Sequence, residues 1–237
     1  MINKSSTLTV KYLNRQLIML VIWLTIMLIA ANSSIAQVPD SQPYLLDADS
    51  SGYHAIIFWV DDIDWCFYRA KNHYINMNEK LAAFEIRKAI SYIKIEAANT
   101  TGKEKDQINQ SVRELESTAK RLDEGKPIFL YDMNIVFANA HFTLAAYQHK
   151  ISAEYWKAEK PVKTGISLDA ASRHLAYAAS WSGQKIGIGV KETWKWTRTV
   201  TSALLKGVGF VPEQVGKALK FIGTETKNLG DKVKPHP

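Results

Sequence analysis

The stretch Ile56–Ala98, IIFWVDDIDWCFYRAKNHYINMNEKLAAFEIRKAISYIKIEAA, decides the fold of this chain. Apolar residues in its first half recur at alternating spacings of four and three, which is the pattern of an amphipathic helix: Ile56, Val60, Ile63, Phe67, Ala70 and Tyr74. Asn78 is a candidate N-cap for a second helix whose apolar positions are Leu81, Phe84, Ala89, Ile93 and Ala97. The stretch therefore predicts a helical hairpin that turns at residues 76–78.

A similar pattern returns further along the chain, at an offset of 82 in residue number. With this offset His73-Tyr74 aligns with Tyr155-Trp156, Phe84 with Ile166, Ile86 with Leu168, Ala89 with Ala171, Ile93 with Leu175, and Ala97-Ala98 with Ala179-Ser180. Two independent hairpins of similar composition would align in the same way, so this alternative stays open. We predict an all-α, up-and-down bundle over residues 56–184 that consists of two related hairpins.

Three further helices complete the predicted bundle. One helix, at 104–124, bridges the two hairpins and ends at Gly125-Lys126-Pro127. A long helix is expected from Phe129 to about Lys160, and the last opens near Ser167, after Pro161 and Gly165, and reaches Ser182. Alanines at 170, 171, 176, 178 and 179 would let this last helix approach its partner closely.

The hairpins at Tyr68–Ala98 and Ala140–Ser180 look like tetratricopeptide-type helix pairs. More loosely, they resemble the exported YfdX-like proteins, in which helical hairpins follow a signal peptide. The tryptophan-leucine-glycine start of the tetratricopeptide pattern is missing, and the offset of 82 is not its 34-residue period. The resemblance implies a scaffold whose faces bind other chains.

Residues 1–36 have the pattern of a secretory signal peptide. Lys4, Lys11 and Arg15 precede an apolar run, Leu17–Ala31, and small residues at 34 and 36 allow cleavage after Ala36. The alternative is an uncleaved anchor, but the run is shorter than the roughly 20 residues that a spanning helix needs. We therefore expect export, to the periplasm. An acidic linker follows over 37–55, and the only cysteine, Cys66, is expected to be a small buried residue.

Charge and glycine content change together near Gly183. Residues 37–184 carry 17 basic and 19 acidic side chains, whereas 185–237 carry 10 and 4. In this basic tail glycine recurs every seven residues, at 209, 216, 223 and 230, which places a glycine stripe beside the apolar stripe of a helix. Because Pro212 fits the first position of a helix, we predict one helix from about Val190 to Lys206, a bend, and a second from Pro212 to about Gly230.

We expect the tail to present a partner-facing or membrane-facing surface. Its apolar residues are Val215, Leu219, Ile222 and Leu229, its glycines Gly216, Gly223 and Gly230, and its cations Lys217, Lys220 and Lys227, with Trp194 and Trp196 nearby among basic residues. The apolar stripe is too narrow and too charged at its edges to span a bilayer. Packing of the same face back on the hairpins is the competing prediction.

The sequence contains none of the common catalytic signatures, such as Gly-x-Ser-x-Gly, a glycine-rich phosphate loop or His-Glu-x-x-His, so we expect no enzyme and no cofactor. The acidic run at residues 61–64 is read as a negative first turn or a solvated face rather than as a cation site. The chain is predicted to be an exported, non-catalytic interaction scaffold that binds a protein or itself, with peripheral membrane contact through the tail, and not nucleic acid. The alternative is a small-molecule, metal or haem carrier that uses a pair formed by His149 and His174 in the second hairpin.

Overall fold

A computed structural model describes residues 51–184 and 188–232 of the chain. In these ranges the protein is all-α, without strands, so the predicted helical bundle is confirmed. The described helices are α1 (Ser51–Ile75), α2 (Glu79–Glu96), α3 (Gly102–Asp123), α4 (Leu130–Lys157), α5 (Pro161–Trp181), α6 (Ile188–Leu205) and α7 (Pro212–Lys232). The predicted signal peptide and most of the predicted linker lie outside the described residues.

Two helix starts differ from the sequence prediction. Helix α1 begins at Ser51, before the first apolar residue of the pattern, and α5 begins at Pro161 rather than near Ser167. Proline is favoured at the first helical position because it has no N–H to leave unpaired there. Gly165 lies inside α5 because it meets α6, where an added Cβ would lie 2.9 Å from the Cβ of Leu204. The prediction had read both residues as breakers.

The helices pack mainly on their neighbours in sequence. Helices α1 and α2 form one hairpin and α4 and α5 the other, while α3 lies against both α2 and α4. Helix α6 packs on α5, and α7 packs on α4, α5 and α6. Helix α1 also contacts α5, so the two hairpins touch directly.

The apolar side chains form two cores that share α4. The first core joins α1, α2 and α3 to the face of α4 that carries Met133, Phe137 and Leu144. The second joins the opposite face of α4, which carries Ala138 and Ala145, to α5, α6 and α7. The core therefore continues past the predicted boundary at Gly183, and the tail helices are integral to the second core.

The offset of 82 extends well beyond the hairpins. Helix α2 starts at 79 and α5 at 161, α3 ends at 123 and α6 at 205, and α4 starts at 130 and α7 at 212. Each residue of the first core has a counterpart 82 residues later in the chain. Every counterpart whose side chain is described is buried, except for His149 and Phe210, which are partly buried. We call α1–α3 the first repeat and α4–α6 the second, and α7 takes the place that α4 holds after the first repeat.

The turns repeat with the same offset. Met77 and Glu159 are the two non-glycine residues with positive φ in the described chain, at 58° and 55°. Around Met77 the amides of Met77 and Asn78 bond the carbonyls of Tyr74 and His73, and the amides of Glu159 and Lys160 do the same to Trp156 and Tyr155. This is the Schellman hydrogen-bond pattern, which closes the end of a helix. Asn78 is the N-cap residue, as predicted, but its side chain makes no capping hydrogen bond.

The connection after the third helix of each repeat also recurs. Gly125 and Gly207 have φ of 63° and 68°, and their amides bond the carbonyls of Leu122 and Leu204. Beyond these glycines, Tyr74 pairs with the backbone of Ile128, and their counterparts Trp156 and Phe210 meet edge to face with ring centroids 6.1 Å apart. Equivalent turns and equivalent contacts at one constant offset support a duplicated architecture.

Among the described helices, none combines the length and the apolar character that crossing a membrane would require.

Candidate functional site

The apolar stripe of α7 lies inside the protein. Val215, Leu219, Ile222 and Leu229, which the sequence analysis assigned to a partner or a membrane, are buried in the second core. Trp194 is buried as well, with its indole N–H donated to Ser172, and Trp196 is partly buried. In the described structure this face therefore packs on the hairpins, against α4 and α5.

Glycines of α7 face aromatic rings of α4, and both the glycines and the rings are spaced seven residues apart. A Cβ added at Gly223 would lie 2.7 Å from the imidazole of His149, and one added at Gly230 would clash with the ring of Phe142. Residue numbers rise along α7 from Gly223 to Gly230, while those of the facing rings fall from His149 to Phe142. The two helices therefore run antiparallel. Gly216 differs, since a Cβ there would meet no atom within 4 Å. Two of the three predicted glycines therefore make room for side chains of α4.

The cations of the tail remain on the surface. Lys217, Lys220 and Lys227 are exposed, and Lys217 pairs with Glu213 at 2.7 Å. Lys220 and Lys227 are the counterparts of Ala138 and Ala145, which α4 buries against the second core. A helix that packed on this side of α7 would have to bury both ammonium groups, which is costly without partners. Packing of a further helix on this side of α7 is therefore disfavoured.

A shallow basic groove lies beside the turn between α6 and α7. It has a volume of about 570 Å³ and is lined by Lys195, Arg198 and Lys206 together with Thr199 and Ser202. All but Lys206 lie on one face of α6 at helical spacing, and Lys206 directly follows the helix. With the apolar stripe buried, this groove and the lysines of α7 are the parts of the tail that remain available to an anionic surface.

The predicted pair of His149 and His174 does not form. The ring of His149 faces α7, where its Nε2–H donates to the carbonyl oxygen of Leu219 at 2.9 Å. Burial lowers the pKa of His149, and the Leu219 carbonyl opposes this shift. His174 points to the other side of the hairpin, into the contact with the first repeat, and its partner is His141. The register of α4 against α5, which spacing along the sequence could not give, decides this pairing.

A buried chain of polar side chains joins the two repeats. The Nδ1 atoms of His141 and His174 lie 2.9 Å apart, and Nε2 of His174 lies 2.9 Å from Oε1 of Glu96. Gln148 donates to the same Glu96 oxygen at 2.8 Å, and Nε2 of His141 lies 3.5 Å from Asp64. Both imidazoles are fully buried, and only 1% of the Glu96 side chain is exposed.

The contacts of this chain fix the protons on its rings. If Glu96 is ionised, His174 must donate from Nε2, which leaves its Nδ1 as the acceptor for an N–H on Nδ1 of His141. Nε2 of His141 then carries a lone pair and has no hydrogen-bond partner, as its geometry shows. Burial lowers the pKa of His141, while Asp64 opposes the shift, so that this histidine is neutral at pH 7. Protonation would place a charged Nε2–H opposite Asp64.

The acidic run at 61–64 belongs to the same contact between the repeats. It lies in the middle of α1 and is therefore not a first turn. Asp64 accepts a hydrogen bond from the indole of Trp181 at 2.7 Å, and Asp61 accepts one from the hydroxyl of Tyr177 at 2.8 Å and a weaker one from Arg173. Cys66, beside this run, is buried as expected, and burial raises the pKa of its thiol to about 11.

Sequence reasoning missed Asp64, Glu96 and Gln148 as partners of the histidines. Spacing within the second hairpin does not reveal the two carboxylates, because they come from α1 and α2. No group of three or more histidine, cysteine, aspartate or glutamate side chains in the described ranges could hold a metal ion. The chain of contacts is linear, so its donor atoms do not converge on one point.

A cavity of about 520 Å³ opens beside Glu96 and Gln148. It lies between the end of α2, the second half of α4 and the start of α5. Its lining mixes apolar side chains with two phenols, a second carboxylate and one ammonium group, from Ile95, Ile151, Ile166, Tyr147, Tyr155, Glu154 and Lys163. This mixture of apolar and polar groups suits a small organic ligand.

Within the described residues, the first repeat exposes apolar side chains on α1 and α2. Trp65 is 45% exposed, Phe84 60% and Ile95 47%, and we call these three residues the open face. Ile95 forms its edge, since it also lines the cavity beside Glu96. Their counterparts in the second repeat, Tyr147, Ile166 and Tyr177, are buried or partly buried.

The counterparts of the open face lie where the second repeat meets the first. Tyr147 belongs to the first core, and Tyr177 bonds Asp61 of α1. Ala170 and Leu144, which are fully buried or nearly so at the same contact, correspond to Lys88 and Asp62 on the first repeat. The open face is therefore the stacking surface of a repeat that has no predecessor among the described residues.

No protein-family model matches this chain, and no curated protein or solved structure matches it either. The likeness to tetratricopeptide-type and YfdX-like hairpins is therefore limited to the general pattern of a helical hairpin. The described repeat has three helices, which makes it longer than the tetratricopeptide helix pair.

Proposed function

We propose that this protein is an exported, non-catalytic interaction scaffold whose binding surface is the open face of its first repeat. The observation that carries the proposal is the exposure of Trp65, Phe84 and Ile95 at positions that the second repeat uses for stacking. Large apolar and aromatic side chains grouped on one surface are typical of binding sites for proteins. Stacked helical repeats provide such surfaces on a rigid frame.

The buried polar chain supports a structural role for the histidines rather than catalysis. His141 and His174 are fully buried, and their partners Asp64 and Glu96 come from the first repeat. Such a network fixes the angle between two stacked repeats, because each member has one hydrogen-bonding geometry. A scaffold needs this rigidity to present the open face in one shape.

Site-specific photo-cross-linking in cells tests the proposal. A photoreactive phenylalanine analogue at position 84 should give discrete protein adducts. The same analogue at Phe129, which is 80% exposed at the start of α4, provides the control and should give none. Equal labelling from both positions, or none from position 84, would overturn the scaffold proposal.

Export is the second part of the proposal, and it rests on the pattern of residues 1–36. Cell fractionation should place the protein in the periplasm, and amino-terminal sequencing of the purified protein should begin at Gln37. A chain that keeps Met1 and stays with the membrane would instead be anchored.

The second candidate function is that of a small-molecule carrier. The pair of His149 and His174 no longer supports it, but the cavity of about 520 Å³ beside Glu96 does. Native mass spectrometry of the purified protein would then show a bound mass that Ile151→Trp, which fills the cavity, removes. A single unliganded species in the wild-type protein would exclude a tightly held cargo.

A further inference from the structure

We propose that the open face pairs with the open face of a second copy of this chain, which gives a closed two-fold dimer. This inference rests on the proposed function, since it names the partner of the same surface. It begins from the duplication: the second repeat shows what the open face of the first is shaped to contact, namely another helical repeat.

The two ends of the stack differ, and this difference limits how copies can associate. At the far end, the exposed residues of α7 beyond Pro212 are polar, charged or glycine, among them Lys217, Lys220, Thr224 and Lys227. The open face could not bury its aromatic side chains there without also burying these ammonium groups. A head-to-tail chain of copies is therefore disfavoured. The pairing of identical faces remains, and it closes after two copies.

The charges around the open face allow such a pairing. Asp62 on α1 and Lys88 on α2 are partly exposed, and Asp62 lies three residues before Trp65. Among the described residues Asp62 has no ion pair, and Lys88 lies over the ring of Tyr92, with its Nζ 5.9 Å from the centroid. A two-fold axis that runs between the two faces, parallel to α1 and α2, places α1 of one copy over α2 of the other. Asp62 of each copy then faces Lys88 of its partner, so the surface is complementary to itself.

The aromatic residues supply the contact area. Trp65 stacks on Tyr68 with centroids 5.4 Å apart, and the guanidinium of Arg69 lies over the Trp65 ring at 5.8 Å. Arg69 is in turn held by Glu85 at 2.8 Å. The exposed rings are thus fixed in position before association, which lowers the entropic cost of burying them.

Sedimentation velocity of the purified full chain, at concentrations up to about 100 µM, tests the inference. We expect a reversible monomer–dimer equilibrium, and we expect Phe84→Asp to weaken it at least about tenfold, because a carboxylate would replace a buried ring. Phe129→Asp, which changes an equally apolar residue away from the open face, should leave the equilibrium unchanged. Circular dichroism and melting temperature confirm that each variant is folded.

A charge exchange tests the two-fold geometry without depending on Phe84. Asp62→Lys and Lys88→Asp should each weaken self-association. In a two-fold dimer each variant places like charges opposite one another at both of the symmetry-related contacts. A mixture of the two variants should form a heterodimer, in which both contacts are attractive again.

A wild-type protein that stays monomeric at all concentrations would overturn the dimer. If the photo-cross-links from position 84 then led to a different protein, the scaffold proposal would survive that failure. If the dimer's dissociation constant changed neither with the charge substitutions nor with Phe84→Asp, the interface would lie elsewhere. This result would overturn the inference as well.

Discussion

The Nδ1 atoms of His141 and His174 lie 2.9 Å apart at the centre of the contact between the two repeats. Each ring also faces a carboxylate of the first repeat, Asp64 for His141 and Glu96 for His174. Four helices, some of them distant in sequence, therefore share one buried polar chain. Burial lowers the pKa of His141 within this chain, so that its protonation is unfavourable in the folded state.

We expect the protein to lose stability as the pH falls below about 6.5. The pKa values of His141 and His149 are lowered in the folded state from 6.5, chiefly by burial, so the unfolded chain binds more protons in this range. At pH 5.5 each histidine would lower the unfolding free energy by up to roughly 1 kcal/mol relative to neutral pH. Urea denaturation at pH 7.5 and 5.5 measures the difference.

His141→Gln provides the control for this prediction, since glutamine can still donate to Nδ1 of His174 but does not titrate. The variant should show a smaller loss between pH 7.5 and 5.5 than the wild-type protein. An unchanged pH dependence would show that His141 is not a source of it.

Substitution of the three glycines of α7 by alanine should give opposite results. Gly223→Ala and Gly230→Ala place a methyl group against His149 and Phe142, and we expect each to lower the unfolding free energy by about 1–3 kcal/mol. Gly216→Ala meets open space and should raise it by up to about 1 kcal/mol through helix propensity. Thermal or chemical denaturation distinguishes the three. Equal effects at all three positions would contradict the register of α7 on α4.

Ile222→Asp separates packing of the tail from membrane docking. Because Ile222 is fully buried, a carboxylate there should lower the unfolding free energy by more than about 3 kcal/mol. Lys220→Gln, on the exposed side of the same helix, should change it by less than about 0.5 kcal/mol. Co-sedimentation with anionic vesicles completes the test. If Ile222→Asp abolished vesicle binding and left the melting temperature unchanged, the stripe would be a membrane surface.

Met77→Gly and Glu159→Gly should both stabilise the protein, and by similar amounts. Both residues have a left-handed conformation that costs an L-residue about 1 kcal/mol, and glycine adopts it freely. The greater freedom of glycine in the unfolded chain offsets part of the gain, which leaves about 0.5 kcal/mol. Asn76→Gly, one residue before Met77 and without a positive φ, should destabilise the protein instead. Denaturation midpoints decide the result, and destabilisation by the first two changes would contradict equivalent turns.

The helical class and the duplication could be predicted from the sequence because both depend on local periodicity. The spacing of apolar residues indicated α1 to α5, and the offset of 82 that aligned the two hairpins is the offset at which Met77 and Glu159 close their turns. The bend at Pro212 could also be predicted, since proline restricts its own backbone; the observed bounds of α6 and α7 lie within two residues of those expected. The alignment with α6 and α7 was missed because Trp194 replaces Val112 and Thr197 replaces Leu115, so that burial recurs without similar residues.

The sequence by itself determined which residues form helices and which faces of these helices are apolar, because both follow from interactions within a few residues of chain. Only the tertiary structure decided what covers each face. The stripe of α7 suits a membrane or a core equally well until α4 is seen to place His149 and Phe142 against Gly223 and Gly230. In the same way His174 could have met His149 or His141, and the register of α4 against α5, together with Glu96 from α2, selected His141. Such choices depend on contacts between distant segments, whose relative positions local periodicity does not specify.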